Sequence, residues 1–278
     1  MSDDLPQTAD GGGASRRVRQ DRPHSARMYD YYLGGNTNYK VDQQAADEVI
    51  RNFPAVRTVA RVNRAFVHRS ARFLARTLGV RQFLDVGTGI PTAPNLHEVA
   101  QDEAAECRVT YVDNDPIVLV YADNLLRGTQ EGLTAYVEAD LRDPAQLLEV
   151  VRSEGCVDLD QPVGLSLNAV LHFIPGEEAY EIVRTLTADL AAGSYLTLSH
   201  CTPDFDPDSW AAITEVYTRA GTPLRVRSRD EVLGFFDGLE LVDPGLVVAH
   251  RWRPEPGSGP SLVSDADASL YAAVAVKP

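Results

Sequence analysis

From residue 82 to the C-terminus the sequence alternates short apolar runs with longer amphipathic stretches, and few folds accept that rhythm. QFLDVG (82–87), RVTYVD (108–113), LTAYVEAD (133–140), PVGLSLNAVL (162–171) and SYLTLSH (194–200) read as strands. Between them the pattern is helical, over 95–106, 116–126, 144–153 and 176–191. Asp206-Pro207 then supplies an N-cap and a first-turn proline for a helix through Trp210 and Tyr217, and Ser228 with Glu231 forms a capping box for another. Two more strand-like runs, GLVVAHRW (245–252) and SLYAAVAV (269–276), end the chain around a Pro/Gly/Ser-rich loop. Five βα units and a final hairpin predict an α/β fold: a mostly parallel, seven-stranded sheet with a C-terminal antiparallel hairpin at its edge. Ligands of such sheets sit at the carboxyl ends of the strands, beside the first strand, where the strand order reverses.

Before residue 82 the pattern differs. Residues 1–22 are polar, with a GGG run, and read as a disordered tail; 23–82 read as a helical cap, and 83–278 as the main domain. Within the cap, 56–78 is the clearest amphipathic helix. Val59, Val62, Phe66, Val67, Phe73 and Leu74 share one face; Arg57, Arg61, Arg64, His68, Arg72 and Arg76 share the other. An arginine stripe of this kind ordinarily faces solvent. Asn63 and Ser70 interrupt the apolar face, where a polar group needs a partner that a cleft or a bound ligand would supply.

Charge divides at the same boundary. Residues 1–82 carry 14 basic and 8 acidic side chains, and 83–278 carry 12 and 32. That acidic excess repels a nucleic-acid backbone, so neither DNA nor RNA is an expected partner. No apolar run reaches the roughly 18 residues of a membrane span. The start, MSDDLPQTADGGGASRR, lacks the apolar core of a signal peptide, so a cytoplasmic location is expected. Cys107, Cys156 and Cys201 are odd in number and far apart, which argues against a disulfide framework or a metal site.

The first strand runs into FLDVGTGIPTAPN (83–95). Gly87 and Gly89 let the backbone approach a ligand closely. A dinucleotide loop lays a pyrophosphate across such a turn, where positive potential is wanted. Asp85 opposes that, and Thr92 stands where the dinucleotide pattern has its last glycine. A carboxylate here suits a ligand that lacks phosphate and carries positive charge, as the amino and sulfonium groups of S-adenosylmethionine do. Asp113 ends the second strand, placed to accept both ribose hydroxyls of such a ligand. Asp140 ends the third, placed to accept from the adenine amino group, with the Leu141 N–H beside it for a ring nitrogen. A lone acid at a strand end is as readily a turn or a cap; three on successive strands point to a site. Pro91 reads as a rigid exit from the turn and Thr92 as the N-cap of the next helix.

Together the segments ARMYDYYLGGNTNY, FLDVGTGIPT, YVDNDPIVL, ADLRDP, AVLHFIP and GSYLTLSH resemble a bacterial family of S-adenosyl methyltransferases long known as a domain of unknown function. The resemblance spans nearly everything after residue 24, and 83–278 is similar to the class I S-adenosylmethionine-dependent methyltransferases. It implies a Rossmann-like sheet with an N-terminal helical cap, S-adenosylmethionine as donor, S-adenosylhomocysteine as product, and no metal. The implied cofactor site comprises Asp85, Gly87, Thr88, Gly89 and Thr92 on the first turn, and Asp113, Asn114, Asp140 and Leu141 on the next two. Asn168, in NAVLHF, matches the position at which related enzymes hold the methionine end of the donor.

Methyl transfer is an in-line displacement with an activated donor, so a base is needed only if the acceptor must lose a proton. His172, four residues past Asn168, is the candidate base; capping the next helix or packing beside the cofactor explains it as well. His200, ending the fifth strand, and Trp210 are candidates for the acceptor pocket, with structural packing the alternative for each. In the cap, Tyr31, Gly34, Gly35 and Asn38 would close over the cofactor and Asn63 would face the cleft. Equally, MYDYYLGG is a helix ended by a turn at Gly34-Gly35. The expected partner is a small-molecule methyl acceptor such as a secondary metabolite, with no nucleic acid and no membrane. A non-catalytic S-adenosylmethionine sensor needs the same carboxylates, and the lack of an unmistakable base keeps that alternative open. A nicotinamide oxidoreductase is disfavoured by Asp85 and Thr92.

Overall fold

The computed structural model describes residues 20–116, 118, 128–255 and 262–278; most of the expected tail and most of the helix expected over 116–126 lie outside the described residues. Three helices come first: α1 (Ser25–Leu33), α2 (Lys40–Asn52) and α3 (Val56–Arg76). Then β1 (Gln82–Val86), α4 (Leu96–Glu103), β2 (Arg108–Asp113), β3 (Leu133–Glu138), α5 (Pro144–Glu154) and β4 (Gly164–Asn168) follow. Next are α6 (Glu178–Asp189), β5 (Tyr195–Cys201), α7 (Pro207–Arg219) and α8 (Arg229–Leu233). The chain ends in β6 (Glu240–Leu241), β7 (Val247–Val248), α9 (Asp265–Ala268) and β8 (Leu270–Val276).

The strands form one mixed sheet in the order β3-β2-β1-β4-β5-β8-β6, with β7 also paired to β8. β1 to β5 are parallel, and β8 runs antiparallel to β5, β6 and β7. Parallel strands covered on both faces read as continuous apolar runs, and β2 and β5 are indeed buried at every residue but the first. The order reverses at β1, which pairs with β2 through Leu84↔Thr110 and with β4 through Leu84↔Leu165.

The C-terminal pairing differs in detail from the expected hairpin. β8 is an interior strand, and GLVVAHRW gives it only Val247 and Val248. Residues 249–251 instead turn as a 3₁₀ segment and deliver Trp252, fully buried, edge-on to Phe66 and Phe73 of α3. A tryptophan buries about 150–250 Å², more than further pairing of a short exposed strand would recover.

α3 is where sequence and structure are most instructive together. Val59, Val62, Phe66, Val67 and Leu74 are buried, as its periodicity requires. Its basic face is only partly solvated, contrary to the expected stripe. Arg64 donates to the carbonyls of Thr92 (2.6 Å) and Pro94 (2.8 Å), and His68 Nε2 lies 2.9 Å from Pro94 O. Burial, with the neighbouring arginines, lowers the His68 pKa to about 4, so a neutral ring meets that carbonyl. Arg72 pairs with Glu103 of α4 and with Glu255. The stripe thus clamps the turn after β1. Ser70 needs no ligand, because its hydroxyl donates to Val67 O within the helix. One apolar core runs from Met28, Val49 and Phe66 of the helices to Leu84, Leu165 and Leu198 of the sheet. Among the described residues no helix is long and apolar enough to cross a membrane.

Candidate functional site

β1 ends at Val86 and the chain turns through Gly87-Thr88-Gly89. Gly87 and Gly89 have φ of 73° and 67°, in the left-handed region. Gly87 is also needed for space, since a Cβ there would lie 2.4 Å from Val170 Cγ2. The N–H of Gly87 donates to Val112 O at 2.8 Å, and that of Gly89 to Asp113 Oδ2 at 2.8 Å. Asp113 Oδ1 accepts from the Asp115 N–H at 2.9 Å. Both oxygens of Asp113 therefore already hold backbone donors, and each keeps further acceptor capacity for a ligand hydroxyl. Burial raises the Asp113 pKa, while those two N–H groups pull it down.

Asp85 accepts a 2.6 Å bond from Ser166 Oγ on β4. Burial raises its pKa too, opposed by Ser166, Thr88 and Arg64. Asn168 Nδ2 donates to Ser166 Oγ (2.8 Å) and Thr197 Oγ1 (3.1 Å), which leaves Asn168 Oδ1 buried without a partner. The next residue, Ala169, holds φ at 54°, a strained value for a non-glycine, with its N–H on Ser199 Oγ.

These groups open onto one cavity of about 360 Å³, within the roughly 300–1,000 Å³ of small-molecule sites. Asn114, Asp140 and Leu141 join Asp85 and Asp113 on one flank. Valines of α3 and Trp210 and Ile213 of α7 make the other. The third wall is α1 and the residue before it, through His24, Ser25, Ala26, Tyr29 and Tyr32.

Asp42 fixes that third wall. Fully buried, it accepts from the His24 N–H (2.8 Å), Arg27 Nε (3.1 Å) and the Tyr39 N–H (2.8 Å). Arg27 is 2% exposed, and His24 Nδ1 lies 3.1 Å from Asp115 Oδ2. The buried Arg27–Asp42 ion pair thus docks α1 on the start of α2, and His24 and Arg27 also reach Asp115, just past β2. Tyr29 is anchored through its hydroxyl, which donates to Ala60 O (3.0 Å) and accepts from Asn63 Nδ2 (2.9 Å); Asn63 Oδ1 accepts from Ser199 Oγ (2.5 Å).

His172 sits on the 3₁₀ turn 171–173 after β4, where it lines the cavity, and its Nδ1 has no partner. Burial and the nearby Arg227 charge lower its pKa to about 3, so the imidazole is neutral. His200 lies behind it, the two rings 5.5 Å apart and nearly perpendicular. Arg227, fully buried, donates to His200 Nε2 (3.0 Å) and to the carbonyls of Leu171 (3.2 Å), Ile174 (2.9 Å) and Gly176 (3.0 Å). It ties down the turn that carries His172. Nothing in its sequence context marks it, since all its partners but His200 are main-chain carbonyls.

A family model for S-adenosyl methyltransferases matches residues 12–278. The chain belongs to that family. The methyltransferase is similar to a DUF574 family protein from Streptomyces avermitilis, 46% identical over 94% of this chain and 100% of that one, with a TM-score of 0.91. A candidate methyltransferase from Thermobifida fusca is 32% identical over 95% of this chain and 99% of that one, with a TM-score of 0.85. An S-adenosylmethionine-dependent methyltransferase from Anabaena variabilis, 13% identical over 93% of this chain and 98% of that one, shares the fold at a TM-score of 0.51. No curated protein matches the chain by sequence.

The cavity of this methyltransferase fits an S-adenosyl ligand chemically. Its carboxylates suit hydroxyl and ammonium donors, and Asn168 Oδ1 is an unused acceptor. Of the residues expected from sequence, Asp85, Gly87, Thr88, Gly89, Asp113 and Asn114 line the cavity. So do Asp140, Leu141, Asn168, Asn63, His172 and Trp210.

Six expected residues are not in the wall. The Thr92 N–H donates to Asn95 Oδ1, and Asn95 rather than Thr92 is the N-cap of α4. His200 is fully buried, its Nδ1 on Cys201 O (2.7 Å) and its Nε2 on Arg227. Tyr31 turns away, its hydroxyl donating to Asp47 (3.0 Å) and Arg57 lying over its ring. Gly34 ends α1 at φ 84°, the Gly35 N–H bonds Asp30 O, and Asn38 Nδ2 bonds Asp30 Oδ2 (2.7 Å). Those three build the α1–α2 turn. The wall is made by Tyr29 and Tyr32 instead, and their spacing of three and six from Ala26 was the available signal.

Proposed function

We propose that this protein transfers the methyl group of S-adenosylmethionine to a small molecule bound in the same cavity. The observation that carries this is the joining of two unlike surfaces in one cavity: a glycine turn with carboxylates on one flank, an enclosed apolar wall on the other. Bound S-adenosylmethionine supplies an activated methyl group on a cationic sulfur. Asp113 and Asp140 are the acceptors for ribose and adenine donors, and Asp85 supplies negative potential beneath the turn. Asn168 offers its free Oδ1 to the amino-acid end. α1, docked by Arg27 and Asp42, excludes water, which strengthens each of these contacts and orients the acceptor.

Incubating the full chain with methyl-labelled S-adenosylmethionine and a small-molecule extract of the source cells tests this. A labelled product of low mass is expected. A second function is favoured by the low basicity of His172: a sensor that binds the donor without turning it over. Confirmed donor binding with no labelled product from any extract would select the sensor.

A further inference from the structure

The strand order gives the cavity two chemically different sides. The carboxylates that line it come from β1, β2 and the residue pair after β3, all on one side of the switch point. The other side is built by α3, α7 and the loop after it, β5 and the turn after β4, with Val59, Val67, Phe173, Ile213 and Leu224 among its residues. α3 gives the cavity one charged side chain, Arg64, and its guanidinium is held at the carbonyls of Thr92 and Pro94 beside the β1 turn. α7, β5 and the turn after β4 line it with no aspartate, glutamate, lysine or arginine; Arg142, which follows β3 and also lines the cavity, is held by Asp140 and by Phe173 O.

The tyrosine hydroxyls on that side and on the adjoining α1 are already satisfied. Tyr32 and Tyr217 share a hydrogen bond of 3.1 Å, and Tyr29 is engaged by Ala60 and Asn63. Burial raises all three phenols, Tyr29 to about 12, and raises the Cys201 thiol to about 12. The surface carries no anion. Two buried side-chain nitrogens on the same side have no partner: Trp210 Nε1, a donor, and His172 Nδ1, on side chains 3% and 5% exposed that both line the cavity. A hydroxyl group suits each of them, because it accepts from an indole N–H and donates to a neutral imidazole nitrogen.

We infer that the methyl acceptor is an uncharged, largely apolar alcohol, seated between α3 and α7 with its hydroxyl toward Trp210 and His172. The inference rests on methyl transfer in this cavity. In the step, the methyl C–S bond breaks and its electron pair stays on sulfur, while the acceptor oxygen forms the new O–C bond. The hydroxyl proton passes to His172 Nδ1. A weak base suffices there, because the oxygen becomes strongly acidic as the O–C bond forms.

The chain has two tryptophans, and Trp252 packs against Phe66 and Phe73 outside the cavity wall. The full chain labelled with 5-fluorotryptophan therefore gives one reporting and one control ¹⁹F resonance, assigned with Trp252→Phe. S-adenosylhomocysteine is titrated first; failure to bind overturns methyl transfer itself, and the acceptor assignment with it. With that ligand saturating, 4-propylphenol, propylbenzene, 3-(4-hydroxyphenyl)propionate and tyramine are added in turn. Saturable movement of the Trp210 resonance by 4-propylphenol is expected, with the two ions weaker by on the order of tenfold or more, since this side has no carboxylate and the lining arginines, Arg64 and Arg142, are already held by main-chain carbonyls. Propylbenzene, which leaves both nitrogens unpaired, is also weaker. Equal or tighter binding by either ion or by propylbenzene overturns the inference. So does S-adenosylhomocysteine binding with no Trp210 response to any of the four.

Discussion

Asp113→Ala removes the acceptor for two backbone N–H groups, those of Gly89 at 2.8 Å and Asp115 at 2.9 Å. A hydrogen bond to a charged group contributes about 1.5–3 kcal/mol. Burying the carboxylate has its own cost, visible in its raised pKa, so the low end applies to each bond. The ligand-free protein should lose about 3 kcal/mol, two bonds at about 1.5 each. At about 2–4 °C per kcal/mol for a chain of this size, melting falls by roughly 6–12 °C. Asp113→Asn, which keeps one acceptor oxygen, should fall between. Calorimetry with S-adenosylhomocysteine should then show a further affinity loss of about 1.5–3 kcal/mol, roughly 10- to 150-fold. An unchanged melting temperature in Asp113→Ala would refute the carboxylate's hold on the glycine turn. A lowered melting temperature with unchanged affinity would remove it from the ribose site.

Gly87→Ala should destabilise by at least about 1–3 kcal/mol from its positive φ alone, and adding Val170→Ala should recover only part of the loss, because Val170 Cβ would still lie 2.9 Å from the new methyl. Full recovery in thermal melts would mean the φ of 73° is not imposed by the fold. Arg27→Met leaves Asp42 buried without its cation and should cost about 3–5 kcal/mol in urea unfolding; a loss below about 1 kcal/mol would contradict the docking role of that pair. His172 and His200 are neutral in the fold, His172 down to about pH 3. The unfolded chain protonates both below about pH 6.5 and so binds more protons, which makes stability fall with decreasing pH by about 1.4 kcal/mol per unit for each. His172→Phe should reduce that slope by about one such increment between pH 4 and 6, and equal slopes would refute it. Asp85 and Asp113 act oppositely: their raised pKa values make the fold the greater proton binder above about pH 3.9, so their share of stability declines as pH rises through those raised values.

β1, β2 and β5 are legible in the sequence because strands buried on both faces are short, mostly apolar and β-branched runs, against which Asp85 or Asp113 near the strand end stands out. α1 is harder. Tyr29, Tyr31 and Tyr32 are alike and nearly adjacent, and only the helix phase of 100° per residue turns two of them inward and one toward Asp47. His200 misleads for a related reason: β5 is covered on both sides, so a residue at its end need not face the cleft. Arg64 of α3 and Arg227 were illegible because most of their partners are main-chain carbonyls remote in sequence, and a pattern of side chains carries no trace of those. Thr92 lost the cap of α4 to Asn95, which sits three residues before Glu98 and closes a reciprocal pair with it.

Isothermal titration of the full chain with S-adenosylhomocysteine and, separately, with NAD tests the central claim most directly. Saturable 1:1 binding of the adenosyl ligand, with no heat from NAD, is the expected result. Tight binding of NAD with none of S-adenosylhomocysteine would contradict an S-adenosyl site between the glycine turn and α1.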